Sequence, residues 1–257
     1  MSGGGQPGGD AARLALLPGG FGGERARLWV ALCAASRRDD SAGGGGAAGA
    51  PANLRGDGDD DVVAVDVARS VRHLRLAASE SDIAAAQAAV ARVLRAAAAT
   101  RPHYYYQGLH DVAAVLAHVL GEAHAAGALA TLTGGPLAPY ARAATMDAAG
   151  ALTDLLVPLV RGADPELGAH LEGAGVTGVF AVPWFLTLFA HNVGDMAAAA
   201  RLFDVWLSHD ASFVVYVSAA VRRGAGVGGA AGPQTIDVTR AACALPSCWC
   251  TGVRRCS

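Results

Sequence analysis

Lysine is absent from these 257 residues, and all 20 basic side chains are arginine. With alanine and glycine abundant, that composition points to GC-rich coding sequence more than to a function. A basic excess is missing too. A formal net charge of −2 argues against a dedicated nucleic-acid binder, which carries surplus positive charge. Aromatic residues make up only 6%, so a chain that is 53% hydrophobic must build its core largely from alanine and aliphatic side chains. Long apolar runs are lacking. The longest, around Phe180 to Ala190 and Phe213 to Val221, fall short of the roughly 20 residues that a membrane-spanning helix needs. The N-terminus has no charged-then-apolar signal peptide. The expectation is an intracellular, soluble chain with one large domain, or one and a half.

Four of the five cysteines, Cys243, Cys248, Cys250 and Cys256, crowd the end of the chain. Their spacing does not fit paired C-x-x-C zinc knuckles. An unstructured tail is expected there, without metal, and a disulfide framework is disfavoured inside the cell. Met1 to Asp10 is glycine-rich and reads as disordered, with a short helix at Ala11 to Leu17. The domain organisation expected is a disordered 1–19, a folded 20–222 and a low-complexity 223–257. Within the folded part, Gly43 to Gly46 and Asp57 to Asp61 have no apolar period, so about 37–60 reads as a mobile insertion.

Most of the remaining periodicity is helical. Leu28, Trp29, Leu32 and Cys33 form one amphipathic face with Trp29 buried. Ser79 and Asp82 have capping-box spacing ahead of Ile83, Ala86, Val90, Val93 and Leu94, and that helix ends near Thr100, before Pro102. A helix from Leu109 runs to about Leu132, with His118 and His124 surface or half-buried. Two more are expected at Tyr140 to Val160 and Pro165 to Ala174, and a buried, kinked one at Gly178 to Phe189. The awkward segment is Val63-Ala64-Val65-Asp66-Val67-Ala68-Arg69. Its alternating valines suit a strand. On a helix, Asp66 and Arg69 would share a face.

The densest chemistry lies at Tyr104-Tyr105-Tyr106-Gln107-Gly108-Leu109-His110-Asp111. Three tyrosines, an amide, a glycine and an acid sit where a loop feeds a helix. Gly108 lets the backbone bend there, and Gln107 is placed to point outward. On the residues alone, the plainer reading is an aromatic loop packed on the core. For Asp66 and Arg69 it is an exposed i,i+3 ion pair, worth less than about 1 kcal/mol.

The two stretches together resemble the signature of the TBC domain, the GTPase-activating domain for Rab GTPases. That signature is I-x-x-D-x-x-R followed by Y-x-Q-G. Val63, Asp66 and Arg69 match the first motif, and Tyr105, Gln107 and Gly108 the second, in the family's order and spacing. Arg25 and Trp29 resemble its opening R-x-x-x-W. Pro183-Trp184-Phe185 resembles an S-P-W-F block with Val182 for the serine, and Arg201 to Leu207 an R-x-x-D-x-x-L block with an Arg201 to Asp204 pair. The run Tyr105 to Asp111 is similar to endoplasmic-reticulum TBC proteins, whose further C-terminal helices and hydrophobic anchor are not found here. The resemblance covers Gly20 to Val221 and implies a fold truncated at its C-terminal end.

The resemblance implies an all-α, multi-helix fold, and it resolves the valine segment as helix. It implies Arg69 as an arginine finger and Gln107 as a glutamine finger that orients the attacking water, with Asp66, Tyr105, Gly108 and Asp111 as positioning residues. The partner would be a GTP-bound Rab-family GTPase. No metal or cofactor would belong to this chain, because Mg-GTP arrives with the partner. The setting implied is the cytosolic face of the endoplasmic reticulum and traffic to the Golgi. Two other classes use the same residues: a catalytically inactive helical adaptor for a GTPase or scaffold, and an alanine-rich structural protein in which the motifs are coincidental.

Overall fold

A computed structural model of the chain describes residues 7–42, 59–72, 74, 79–142 and 147–225. Among them every regular element is helical. The helices are α1 (Pro7–Leu16), α2 (Arg25–Ala42), α3 (Asp59–Arg69), α4 (Glu80–Thr100), α5 (Leu109–Gly134) and α6 (Ala138–Ala141). They continue as α7 (Asp147–Asp154), α8 (Leu156–Ala163), α9 (Pro165–Gly173), α10 (Val182–Thr187), α11 (Met196–Trp206) and α12 (Phe213–Ala225). The all-α expectation holds.

The long helix α5 organises the packing. It runs along α4 and against α2, and it also touches α3, α6, α10 and α11. At 26 residues, with an apolar 18-residue window, it has the length and composition of a membrane-spanning helix although it holds no uninterrupted apolar run of that length. Leu109, Val112, Val115, Leu116, Leu129 and Leu132 are nevertheless buried inside the fold. Gly121, at φ 68° and ψ 162°, breaks the helical backbone within it, a conformation open to glycine.

Helix α4 starts as its sequence dictates. Ser79 accepts from the Asp82 amide at 3.2 Å, so an otherwise orphaned donor of the first turn is satisfied. Its buried face is Val90, Val93, Leu94 and Ala97. Helix α3 forms although its valines favour a strand. A helix buries Asp66 and Val67 together and leaves Val62 and Val65 in solvent. Here tertiary packing overrides local propensity.

Several boundaries differ from the sequence reading. The glycine-rich start is helical from Pro7, because α1 lays Ala11 and Ala15 into the core. Helix α2 continues to Ala42 and α3 begins at Asp59, within the stretch expected as an insertion, and 43–58 lies outside the described residues. The single helix expected from Tyr140 to Val160 is divided into α6, α7 and α8. Pro158 lies in the first turn of α8, where a missing N–H costs nothing, whereas an uninterrupted helix would place it in the interior. The apolar block at 178–189 is a 3₁₀ turn, Gly178–Ala181, followed by the short α10. The tail at 226–257, with Cys243, Cys248, Cys250 and Cys256, lies outside the described residues, while Cys33 is a buried thiol.

The few aromatics are concentrated. Phe180, Trp184, Phe189, Trp206 and Phe213 form a file of rings with successive centroids 5.5, 5.1, 6.0 and 6.5 Å apart. This file joins α10, α11 and α12. The turn inside it places both Leu188 (φ 50°) and Phe189 (φ 66°) in the left-handed region, which is costly for such side chains. The Trp206 indole N–H closes onto the Leu188 carbonyl at 3.0 Å.

A second anchor ties the N-terminus to α11. Asp204 is fully buried and accepts from Arg25 Nε (2.8 Å) and Nη2 (3.0 Å), the Trp29 indole (2.8 Å) and the Phe21 amide (3.0 Å). Arg201 on the same helix donates to the Leu17 carbonyl at 2.7 Å. The R-x-x-x-W and R-x-x-D-x-x-L blocks therefore meet on one carboxylate. Asp204→Ala strands a guanidinium, an indole N–H and an amide at once. The expected loss is about 3 kcal/mol, the lower end for breaking a buried pair because Arg25 keeps some contact with water. Urea unfolding of the variant should show it as a lower midpoint at unchanged slope.

Candidate functional site

The site is built where the C-terminus of α3 meets the N-terminus of α5. Asp66 is buried on α3 and faces the core, while the Arg69 side chain, one turn on, is 58% exposed and pairs with Asp66. The helix stops immediately afterwards. Val71 adopts φ 65°, an unusual conformation for a β-branched residue, and is buried. The Gln87 side chain of α4 donates to the Ala68 carbonyl at 2.7 Å, so a final carbonyl of α3 gains a partner from outside the helix. Arg72 then forks onto Glu80 at 3.0 and 2.8 Å. The end of α3 is thus fixed from several sides, and Arg69 projects from it.

The tyrosine loop is fixed just as firmly. The Tyr104 amide donates to the Ala141 carbonyl at 2.7 Å. Tyr106 is buried, packs edge-on against Tyr140 and donates its hydroxyl to the Leu186 carbonyl at 3.0 Å. Tyr105 points toward α3 and donates to Asp66 Oδ2 at 2.8 Å. Gln107, between these anchored side chains and the helix, is exposed. Gly108 caps α5 at φ 105°. A Cβ there would also lie 2.7 Å from Thr187 Cγ2, so both the dihedral and the close approach require glycine.

Behind the loop lies a file of titratable groups. Tyr105 Oη is 2.8 Å from His110 Nδ1 as well as from Asp66. His110 Nε2 lies 3.4 Å from Asp111 Oδ1, and Asp111 Oδ2 is 2.8 Å from His191 Nδ1. Asp111 is fully buried in the first turn of α5, where a carboxylate favours the helix dipole. Burial pushes the His110 ring below its ordinary pKa, which keeps it neutral near pH 7. Burial, reinforced by the Asp66 carboxylate, raises Tyr105, so its phenol keeps its proton.

His191 behaves in the opposite way. Its side chain is 59% exposed, and the hydrogen bond to Asp111 raises it above the ordinary value of 6.5. A raised folded-state pKa contributes stability that is fully present below the unfolded value and fades as pH rises through the folded one. The melting-temperature gap between wild type and His191→Ala should therefore be widest below pH 6.5 and shrink as pH climbs past the raised value. Scanning both proteins between acid and mildly alkaline pH checks it; a gap that widens with pH would contradict the assignment.

Of the six residues singled out from sequence, the structure brings Asp66, Arg69 and Tyr105 into direct contact. Gly108 and Asp111 form the helix start directly behind them, and Gln107 lies exposed on the loop. His110 stands in the tyrosine-loop run without a pattern of its own. His191, Gln87 and Thr187 were not singled out, and no local pattern marks them.

In this helical fold an exposed arginine and an exposed glutamine are carried by two segments that meet through one buried aspartate. The model of the Rab-GTPase-TBC domain family matches residues 50–222, and the chain belongs to that family. The match begins after α2, so the Arg25 and Trp29 anchor precedes the matched segment. Among curated proteins the chain is similar to the GTPase-activating protein gyp10 of Schizosaccharomyces pombe. The two are 35% identical over 117 residues, which is 46% of this chain and 31% of that protein. It is also similar to TBC1 domain family member 20 of Bos taurus, 29% identical over 171 residues, covering 66% of this chain and 42% of the relative. The Homo sapiens protein of the same name is 28% identical over an equal length. The chain thus spans only about a third to two-fifths of the length of these relatives.

Proposed function

We propose that this chain accelerates GTP hydrolysis by a Rab-family GTPase, with Arg69 and Gln107 entering the partner's nucleotide site. The observation that carries the reading is the Tyr105 to Asp66 hydrogen bond. It clamps the arginine-bearing helix end to the glutamine-bearing loop while leaving Arg69 largely exposed and Gln107 in solvent. Family membership and a relative called a GTPase-activating protein support it.

The chemistry follows from what hydrolysis demands. Water attacks the γ-phosphate, and charge accumulates on oxygens at the β–γ bridge. A guanidinium is always charged and can meet two oxygens with its planar fork. Asp66 holds that guanidinium at the helix end until the phosphates compete for it. The Gln107 amide both donates and accepts, which is what orienting a water against a phosphate requires. Mg²⁺ and GTP arrive as part of the partner, in its GTP-bound state. The similarity of the Tyr105 to Asp111 run to endoplasmic-reticulum TBC proteins adds a setting: the cytosolic face of that organelle, acting on traffic toward the Golgi.

Single-turnover GTP hydrolysis across a panel of GTP-loaded Rab proteins tests the reading. Acceleration of at least one member by catalytic amounts of the chain is expected. Capture of a GTP-loaded Rab without any acceleration would instead assign the chain as an adaptor.

A further inference from the structure

The proton arrangement behind the tyrosine loop has a definite direction. Tyr105 Oη has two contacts at 2.8 Å, Asp66 Oδ2 and His110 Nδ1. An ionised carboxylate only accepts, so the phenol proton must go to Asp66. The phenol oxygen is then the acceptor toward His110, and Nδ1 must carry a proton. The other ring nitrogen, Nε2, lies 3.4 Å from Asp111 Oδ1, so the buried ring sits between the phenol and a second carboxylate. A buried histidine held with its proton on Nδ1 by a half-buried phenol does more than fill space.

We propose that His110 is a positioning residue for GTPase activation: its Nδ1–H fixes the Tyr105 phenol, which directs its own proton to Asp66, and Asp66 in turn aims Arg69. The proposal rests on the hydrolysis reading above. His110 lies three residues beyond Gln107 on the first turn of α5, so one ring couples the helix that follows the glutamine-bearing loop to the arginine-bearing one. Without the Nδ1–H, the phenol can turn its proton away from Asp66. The carboxylate then loses the partner that fixes its plane, and Arg69 loses its aim while remaining charged and exposed.

Two measurements test it. The first uses the isolated chain labelled with ¹⁵N on histidine. Long-range imidazole spectra near pH 7 should show His110 protonated on Nδ1, and Tyr105→Phe should shift that proton toward Nε2. A His110 signal protonated on Nε2 in the wild type overturns the proposal, whatever the fate of the hydrolysis reading.

The second compares variants in single-turnover hydrolysis with a responsive Rab. His110→Asn keeps a donor near the Nδ1 position, and His110→Leu keeps apolar volume but no donor. Losing one neutral hydrogen bond in the positioning chain should slow hydrolysis by roughly 2- to 10-fold in the leucine variant, at little change in half-saturating Rab concentration. The asparagine variant should recover most of the rate. Equal rates for both variants, or a better leucine variant, would reduce His110 to a packing residue. If the wild type accelerates no Rab at all, the hydrolysis reading fails and the proposed role falls with it, a result distinct from loss confined to the variants.

Discussion

Replacing Arg69 by lysine is expected to remove most of the acceleration while the fold and the affinity for the partner stay close to wild type. The side chain is 58% exposed and pairs with Asp66, so little packing depends on it. Exposed substitutions of this kind usually change stability by less than about 0.5 kcal/mol. The catalytic stake is much larger, because an arginine finger contributes about 10³- to 10⁵-fold to hydrolysis. Lysine keeps the charge but offers a compact ammonium without the planar fork, so it cannot meet two phosphate oxygens in fixed geometry. The signature sought in single-turnover hydrolysis is a fall of about 10²-fold or more at saturating chain, with unchanged thermal unfolding and a Rab-capture signal near wild type. A variant that retains wild-type rates would reduce Arg69 to a surface ion-pair partner of Asp66.

The second large effect concerns Gln107. The loop that carries it is anchored by Tyr104, Tyr105 and Tyr106, each through a different contact, so truncating the exposed amide should leave the loop in place. Gln107→Ala should slow hydrolysis strongly without abolishing binding, since Arg69 remains. The decisive measurement pairs the wild-type chain with a Rab whose own catalytic glutamine has been changed to alanine. In Ras that glutamine acts from within the GTPase. Two-finger catalysis predicts appreciable acceleration of the altered Rab, because this chain supplies the water-orienting amide. No response from that Rab, with normal response from the unaltered one, would leave Gln107 as a loop residue and Arg69 as the lone finger.

Both experiments bear on how the aromatic loop reads. Packing and presentation are complementary in it. Tyr105 and Tyr106 turn inward, to Asp66 and to the Leu186 carbonyl, and that inward packing keeps the intervening loop fixed while Gln107 faces solvent. An exposed i,i+3 ion pair was likewise a fair local account of Asp66 and Arg69. The burial of Asp66 changes its meaning, since a carboxylate taken from water needs every partner it has. Arg69, Tyr105 and the neighbouring His110 meet around it.

Much of this protein follows from sequence through rules that act over one or two helical turns. The Ser79 cap, the apolar face of α4, the start of α5 beyond Gly108 and the two motifs in order are all local patterns, and each is where the sequence puts it. Elements whose limits depend on distant contacts were less legible. Helix α1 exists because Ala11 and Ala15 find a core to enter, and α3 is a helix, despite its valines, because that geometry buries Val67 while bringing the Asp66 carboxylate to Arg69 and Tyr105. Tertiary structure chose the long-range partners of the buried carboxylates. Asp66 meets Tyr105 across 39 positions, Asp111 meets His191 across 80, and Asp204 meets Arg25 across 179. The physical reason is reach. A side chain's periodicity reports which face of its own helix it occupies, whereas a buried charge takes whichever donor the packing of other helices delivers, and no local pattern encodes that choice.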